Sequence, residues 1–537
     1  MKMAHSMQGI YSPLPQSLSD SDSEKEISME PICTSYNSKN TNNFEDTYRQ
    51  NGHSIRMDED IVKIKRVASK MSTTRKIAFI ASIILCFLPI CIFLWVLPCS
   101  ELHTCPIKIS NWDSQQENLE LKGPIHLDTG VYKTNFNLAI LYKGSFNSPK
   151  PLKNGIISFM GLTGNVAWDF EQEVEPDQMD CSIIDTNQDG TLDCLVVDPK
   201  GLKAIETLSG QALWHAHSSE EKKWVRNLDL PVTMPDLNND GVEELVSVFE
   251  KIYFLIISGR TGEVLAKIPI PHCEQVKELY KPEKGANFMT YKCGNETASS
   301  QLYKVSFSEL EKTYINRQYR MIIEPIGEEI AKNTFFAGNR KLTVNNGDNC
   351  PKCHCVLTLY DDKDSILKTW TYEYAFIMNP KSFSFDPSKG KKTKLRGHLN
   401  GFILKIWQWS EHYKKLRPTQ RINKRSLIYS GANETFFSTE VTETVVFITF
   451  NDTDVHVINA SYTTLNQICR KHESNCQPSM ENQKDSLLVH DLENDSSKEL
   501  VNFYSSYVRR GEDWHLVSNV KVVRLEEELP LLYGNKK

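Results

Sequence analysis

A Thr/Ser-Gly turn between two apolar strands returns three times in this chain, and it limits the possible fold more than any other feature. The stretches "ISFMGLTGNVAWDF" (157–170), "LKAIETLSGQALWHA" (202–216) and "IYFLIISGRTGEVLAKI" (252–268) each read strand, tight turn, strand. Their turn glycines Gly164, Gly210 and Gly262 are spaced 46 and 52 residues apart. Trp168 and Trp214 hold the same offset after the turn, and Ala266 takes that place in the third unit. A glycine-bearing tight turn between alternating strands is a hairpin signal, and a large aromatic at a fixed offset is placed to pack one unit on the next.

A second element alternates with these hairpins. "DTNQDGTLDCLVV" starts at Asp185 and "DLNNDGVEELVSV" at Asp236, 51 residues apart, so the two periods agree. Strand, acidic loop, strand, Gly turn and strand in about 50 residues is the grammar of a β-propeller blade. The pattern then blurs. "CVLTLYDDKDSILKTWTYEY" (355–374) keeps hairpin and tryptophan but has Asp364 where glycine stood, "GHLNGFILKIWQW" (397–409) reads as a Gly-turned strand, and "LLVHDLENDSSKELVNFYSSY" (487–507) is a degraded third acidic loop. The expected fold class is all-β, a propeller over 126–537 with seven or eight blades, seven preferred.

The acidic loops carry metal-ligand spacing. Counting Asp185 as position one, side-chain oxygens fall at one, three, five and nine: Asp185, Asn187, Asp189 and Asp193. Calcium takes six to eight oxygens, Gly190 at position six permits the sharp bend, and the Thr191 carbonyl at seven offers a further ligand. An EF-hand is excluded because Val196 stands where its position-twelve glutamate belongs and strands flank the loop. The second loop offers Asp236, Asn238, Asp240, the Val242 carbonyl and Glu244, with Gly241 at the bend. The third, a weaker candidate, offers Asp491, Glu493, Asp495 and Glu499, with Ser496 for glycine. The expected cofactor is structural Ca2+, which would rigidify the blade edges by relieving repulsion among these carboxylates.

Residues 77–97, "IAFIASIILCFLPICIFLWVL", hold no charge, and 21 residues make about 31 Å of helix against a hydrocarbon core of about 30 Å. The stretch reads as a signal-anchor because it starts too far from residue 1 and runs too long for a cleaved signal peptide. Lys63, Lys65, Arg66, Lys70, Arg75 and Lys76 precede it, whereas Lys108 alone follows closely, so the positive-inside bias puts the N-terminus in the cytoplasm. Trp95 sits where an outer-interface aromatic would. The sequons at Asn295, Asn433, Asn451, Asn459 and Asn494 all follow the span, which agrees with a type II topology and a lumenal or extracellular C-terminal portion. Four segments result: tail 1–76, span 77–97, linker 98–125 and propeller 126–537.

Eleven of the 14 cysteines then lie in an oxidising compartment. Local pairs are expected for Cys181 with Cys194, Cys273 with Cys293 and Cys469 with Cys476, with connectivity open beyond them. "CPKCHC" (350–355) matches a haem-attachment string and half a zinc site, but disulfides are the better reading. The tail is polar, Ser- and Asn-rich and expected to be disordered. "YSPL" (11–14) has the form of an endocytic sorting signal through Tyr11 and Leu14, with a solvated linker as the alternative. The 68 acidic and 62 basic residues, interspersed, leave a formal charge of −6 and advertise no nucleic-acid surface, so no nucleic-acid partner is expected.

The acidic loops in such blades resemble the FG-GAP repeats of integrin α-subunit propellers. The whole chain, through the stretch 77–97, "DTNQDGTLDCLVV" and the Gly-Trp hairpins, resembles the integrin-α FG-GAP repeat-containing membrane proteins called family with sequence similarity 234. That resemblance implies a cytoplasmic tail, one span and a lumenal propeller. The literal Phe-Gly and Gly-Ala-Pro signatures are absent, so integrin-like ligand binding does not come with the fold. The expected function is a non-enzymatic, calcium-rigidified protein- or glycan-binding module on the lumenal side, at the cell surface or in the Golgi and secretory pathway. The alternative is a secretory-pathway trafficking or maturation factor. An enzyme is the weaker reading: "LTGNVAW" and "LSGQALW" also resemble quinoprotein-dehydrogenase blade turns, but no nucleophile motif accompanies them.

Overall fold

In the computed structural model the described residues are 72–96 and most of 111–529, the longest stretches left out within 111–529 being 386–398 and 410–435. The chain divides into two compact units, residues 1–99 and 100–537.

In the first unit a 24-residue helix, Thr73–Val96, covers all but the last residue of the apolar stretch 77–97. Its side chains are described as far as Leu88, and the large apolar ones, Ile77, Phe79, Ile80, Ile83, Ile84, Leu85, Phe87 and Leu88, are 41–72% exposed. Among the described residues no helix is long and apolar enough to cross a membrane. The sorting string at Tyr11 and Leu14, and the rest of the tail to residue 71, lie outside the described residues.

Among the described residues the second unit is all β apart from two short helices. Its described strands form seven sheets, nearly all built as antiparallel meanders of four or more strands. The first holds Leu119–Thr129, Phe136–Gly144, Asn154–Met160 and Val166–Gln172; the second holds Gln178–Ile184, Asp193–Asp198, Gly201–Ile205 and Ala212–His215. The third is built on Val232–Met234, Glu244–Phe249, Tyr253–Ile257 and Glu263–Pro269. The seventh takes Leu487–His490, Glu499–Arg510 and Asp513–Arg524 and adds the N-terminal strand Trp112–Glu117 along the last of these.

That closing strand, and the start of Leu119–Thr129, correct the boundary drawn at residue 126: ordered strands begin at Trp112, inside the stretch 98–125 read as linker. "WDSQQE" escapes a hydrophobic-pattern search because an outermost strand pairs on one side only and has one large apolar side chain to bury.

Buried apolar clusters lie between sheets rather than within one. Leu138, Ile157 and Phe159 of the first sheet pack on Val501, Phe503 and Val520 of the seventh. Ile156 and Trp168 meet Met179 and Val196 across the first and second sheets, and Leu195 and Leu202 meet Leu245 and Ile257 across the second and third. A strand covered on both faces reads as an apolar run without alternation. Asp193–Asp198 is buried at all six positions, and its "CLVV" is such a run.

Among the described residues four disulfides, Cys181–Cys194, Cys273–Cys293, Cys350–Cys353 and Cys469–Cys476, include the three expected local pairs and make the Cys-Pro-Lys-Cys string a bridge. Cys355 beside it is a buried free thiol.

Candidate metal loops and sheet docking

The three acidic loops occupy one place in the architecture. Each joins an edge strand of its sheet to that strand's neighbour: Gln178–Ile184 to Asp193–Asp198, Val232–Met234 to Glu244–Phe249, and Leu487–His490 to Glu499–Arg510. Their backbones also match. Position four is left-handed in all three, with φ of 62° at Gln188, 60° at Asn239 and 56° at Asn494. Position six has φ of 83° at Gly190, 88° at Gly241 and 71° at Ser496, so the serine adopts the bend that glycine makes without steric cost.

The position-one carboxylate organises each turn. Asp185 accepts the N–H groups of Asp189 and Gly190 at 3.2 and 2.8 Å, Asp236 those of Asn239 and Gly241 at 2.7 and 2.9 Å, and Asp491 those of Asp495 and Ser496 at 3.1 and 2.8 Å. Position five caps position seven: Asp189 accepts the Thr191 N–H at 2.7 Å, and Asp240 the Val242 N–H at 2.9 Å. Each Asn at position three donates to the Asp at five, Asn187 to Asp189 at 3.1 Å and Asn238 to Asp240 at 2.8 Å. The adjacent loops touch, the Gln188 amide donating to the Gly241 carbonyl at 2.8 Å.

Position nine tests whether a cation fits. Asp193 is fully buried and accepts the Thr186 N–H and hydroxyl at 2.8 and 2.7 Å through Oδ2, while its Oδ1 has no hydrogen-bond partner. Glu244 is fully buried, its Oε1 accepts the Asn238 N–H at 3.2 Å, and its Oε2 is likewise unpartnered. Burial pushes the Asp193 carboxyl up to about 6, with the Asp189 and Asp185 charges adding to the rise. Burial also pushes Glu244 up to about 7, and Asp236 and Asp240 add to it. A buried carboxylate oxygen with no donor, beside further carboxylates, is costly unless a cation or proton satisfies it. Among the described residues no three His, Cys, Asp or Glu side chains converge tightly enough to hold a metal unaided. A calcium shell here would therefore draw on Asn187 and Asn238 and on the Thr191 and Val242 carbonyls as well as the carboxylates. A carboxylate has about four lone-pair sites, so Asp185 and Asp236 can hold the turn and still accept.

The third loop is different. Both oxygens of Glu499 are satisfied, Oε2 by the Leu492 N–H at 3.0 Å and Oε1 by Arg524 Nε at 3.2 Å. Arg524 Nη2 also pairs with Asp495, and with Glu493 Oε2 at 3.6 Å.

The repeated turn glycines have an equally physical role. Gly164, Gly210 and Gly262 have φ of 73°, 72° and 73°. Each lies under an indole of the preceding sheet. A methyl group on Gly164 would come within 2.3 Å of the Trp112 ring, one on Gly210 within 2.9 Å of Trp168, and one on Gly262 within 2.5 Å of Trp214. Trp112 Nε1 donates to the Gly161 carbonyl at 2.7 Å, and Trp214 Nε1 to the Gly259 carbonyl at 3.0 Å. The tryptophan thus packs on the next unit, as its spacing suggests.

The sequence model described as the FAM234A/B beta-propeller matches residues 146–328, the part of the chain that carries these docked turns and the first two acidic loops. Mouse Protein FAM234A is 24% identical over 240 residues, which cover 40% of this chain and 41% of that protein. Over these residues the chain is similar to the FAM234 family. It spans less than half the length of that FAM234 relative in the match, and the relative's name carries no activity. Among solved structures, this chain is weakly similar to BamB from Moraxella catarrhalis (11% identity, 74% of this chain and 86% of that one, TM-score 0.23). It is also weakly similar to the WD40 domain of SCAP from fission yeast (9%, 76% and 98%, TM-score 0.28).

Three residues of this propeller escape a reading of local sequence. Trp112 belongs to the docking series, and its signal is the 49-residue step to Gly161, close to the 45 between Trp214 and Gly259. Glu206 joins the first loop, accepting from the Asn187 amide at 3.1 Å. Arg524 joins the third. Of the sequons, Asn459 and Asn494 are exposed, Asn494 on the third loop itself, and Asn295, Asn433 and Asn451 lie outside the described residues.

Proposed function

We propose that this chain is a type II single-pass membrane protein whose seven-bladed, calcium-stiffened propeller is a non-enzymatic module binding a protein or glycan on the lumenal or extracellular side. The observation that carries the reading is the pair of fully buried, unpartnered carboxylate oxygens at position nine of two successive loops, Asp193 Oδ1 and Glu244 Oε2. Calcium, when bound, would supply positive charge to these oxygens and hold each loop by Asp185, Asn187, Asp189, Thr191 and Asp193, and by Asp236, Asn238, Asp240, Val242 and Glu244. The loops' common position between an edge strand and its neighbour supports a stiffening role for them. Support for the span comes from the charge-free stretch 77–97 and the exposed apolar side chains of helix Thr73–Val96, a surface suited to lipid.

The metal part is tested by melting the purified full-length protein with calcium and with a chelator. Calcium should raise the melting temperature of the unmutated chain, and Asp189→Ala with Asp240→Ala should erase that rise. An unchanged calcium response in the double variant refutes it. Topology is read from glycosidase shifts: Asn459→Gln and Asn494→Gln should each remove a glycan, and an unglycosylated chain from a secretory host would count against a lumenal propeller.

A further inference from the structure

The three loops invite a comparison at one register position, the residue facing position nine across the ladder. In the seventh sheet Glu499 pairs directly with Arg524. In the second sheet Cys194 pairs with Ile205, so one step further Asp193 faces Glu206. In the third sheet Leu245 pairs with Ile257, so Glu244 faces Ser258, whose hydroxyl donates to Asp240 at 3.3 Å. The same site therefore holds an acid, a neutral hydroxyl and a cation in three loops of one backbone design.

We propose that this facing residue decides what balances each acidic loop, and that in the seventh sheet the Arg524 guanidinium does so in place of a metal ion, so that the third loop takes no calcium. The contrast in satisfaction carries the argument. Where the facing residue is Glu206 or Ser258, the position-nine carboxylate keeps a buried oxygen with no partner. Where it is Arg524, Glu499 has partners on both oxygens. Arg524 is 9% exposed at its side chain and reaches Glu493, Asp495 and Glu499 together. Its planar fork of five donors suits several carboxylates at once, and its charge does not titrate away. A divalent ion among the same carboxylates would sit against a fixed positive charge at a few ångströms, and its attraction to them is already spent on the guanidinium. Ser496 at position six fits this assignment, because the bend persists with no metal to require it.

The placement gives the arrangement a purpose. The Arg524 N–H donates to Asn111 Oδ1 at 3.0 Å, immediately before the closing strand Trp112–Glu117. The sheet that joins the two ends of the propeller thus carries its own cation, and its closure is independent of calcium supply.

The inference rests on the calcium reading of the first two loops, and the experiment separates the two. Calcium bound per chain is measured by equilibrium dialysis on the purified full-length protein. The unmutated chain should bind two ions, Asp189→Ala with Asp240→Ala none, Arg524→Gln three, and Arg524→Lys, which keeps the charge, two. One ion remaining on the Asp189/Asp240 variant, or a folded Arg524→Gln chain with no added ion, overturns the proposal. If the unmutated chain binds none, the metal reading of the first two loops fails by itself, and the Arg524 assignment still stands or falls on the ion gained by Arg524→Gln. Should that variant not fold, the count on the Asp189/Asp240 chain decides.

Discussion

Replacing Gly210 with alanine probes how one sheet is seated on the next. The backbone there has φ of 72°, and a new Cβ would lie 2.9 Å from Trp168 Cβ and Cε3 and 3.0 Å from Cδ2. A left-handed alanine costs about 1–2 kcal/mol, and forcing the buried indole aside costs about 1–3 kcal/mol more. The sum is about 2–5 kcal/mol, or roughly 2–5 °C in melting temperature for a cooperative unit of about 400 residues. Trp168→Ala alone, removing a side chain 6% exposed, should cost about 3–5 kcal/mol. The decisive quantity is the cycle. With the ring gone, Gly210→Ala keeps only its backbone share, so the double variant should be less destabilised than the two singles added together by about 1–3 kcal/mol. Scanning calorimetry of the four full-length proteins measures this. If Gly210→Ala costs the same with and without Trp168, the glycine is there for its turn alone and the docking account is wrong.

Two further expectations concern buried charges away from the loops. Glu120 is 1% exposed, takes the Ser479 N–H at 2.6 Å and the Asn482 amide at 2.8 Å, and burial pushes its carboxyl up to about 7. Its raised value means that folded-state stability is fully present below the unfolded carboxyl range and is lost as pH climbs through about 7. Glu120→Gln should flatten that loss between pH 5 and 8, by up to about 3 kcal/mol in a melting series, and an unaltered pH profile would show that this carboxyl is not a source of it. Lys405 is fully buried, donates to the Phe503 carbonyl at 2.6 Å and pairs with Glu443 at 3.3 Å, while Trp407 Nε1 holds the other Glu443 oxygen at 2.8 Å. Burial lowers its pKa and Glu443 opposes that. Lys405→Met should cost about 3–5 kcal/mol by stranding Glu443, and adding Glu443→Gln should recover most of it; no recovery in denaturation would mean that Lys405 acts through Phe503 instead.

What the sequence reveals and what it hides follow one physical distinction. Gly164, Gly210 and Gly262 are legible because a positive φ demands a particular residue at a particular place, and the alternating acids are legible because a short loop brings them together locally. The same logic fails gently at Asp364, where φ is 60° and an acid stands in for glycine, so the hairpin persists after its marker is gone. It fails fully for Arg524 and Trp112. Their partners, Glu499 and the Gly164 turn, are set by ladder register and by sheet-to-sheet packing, which leave no mark on adjacent residues. The linker drawn over 98–125 fails for the related reason that an outermost strand needs little hydrophobic patterning.

The seventh sheet sets an order on the folding of this chain. Arg524 reaches Asn111 across 413 residues, and among the described residues the strand Trp112–Glu117 pairs with Asp513–Arg524 alone. During synthesis, therefore, the earliest strand of the propeller remains without its neighbour until nearly the last has emerged, and Trp112 has no sheet of its own to hold it over Gly164. At about 5–20 residues per second that wait lasts tens of seconds. Through this interval the open ring presents two unpaired strand edges, so the nascent chain, rather than the finished propeller, is the form most in need of a chaperone's cover.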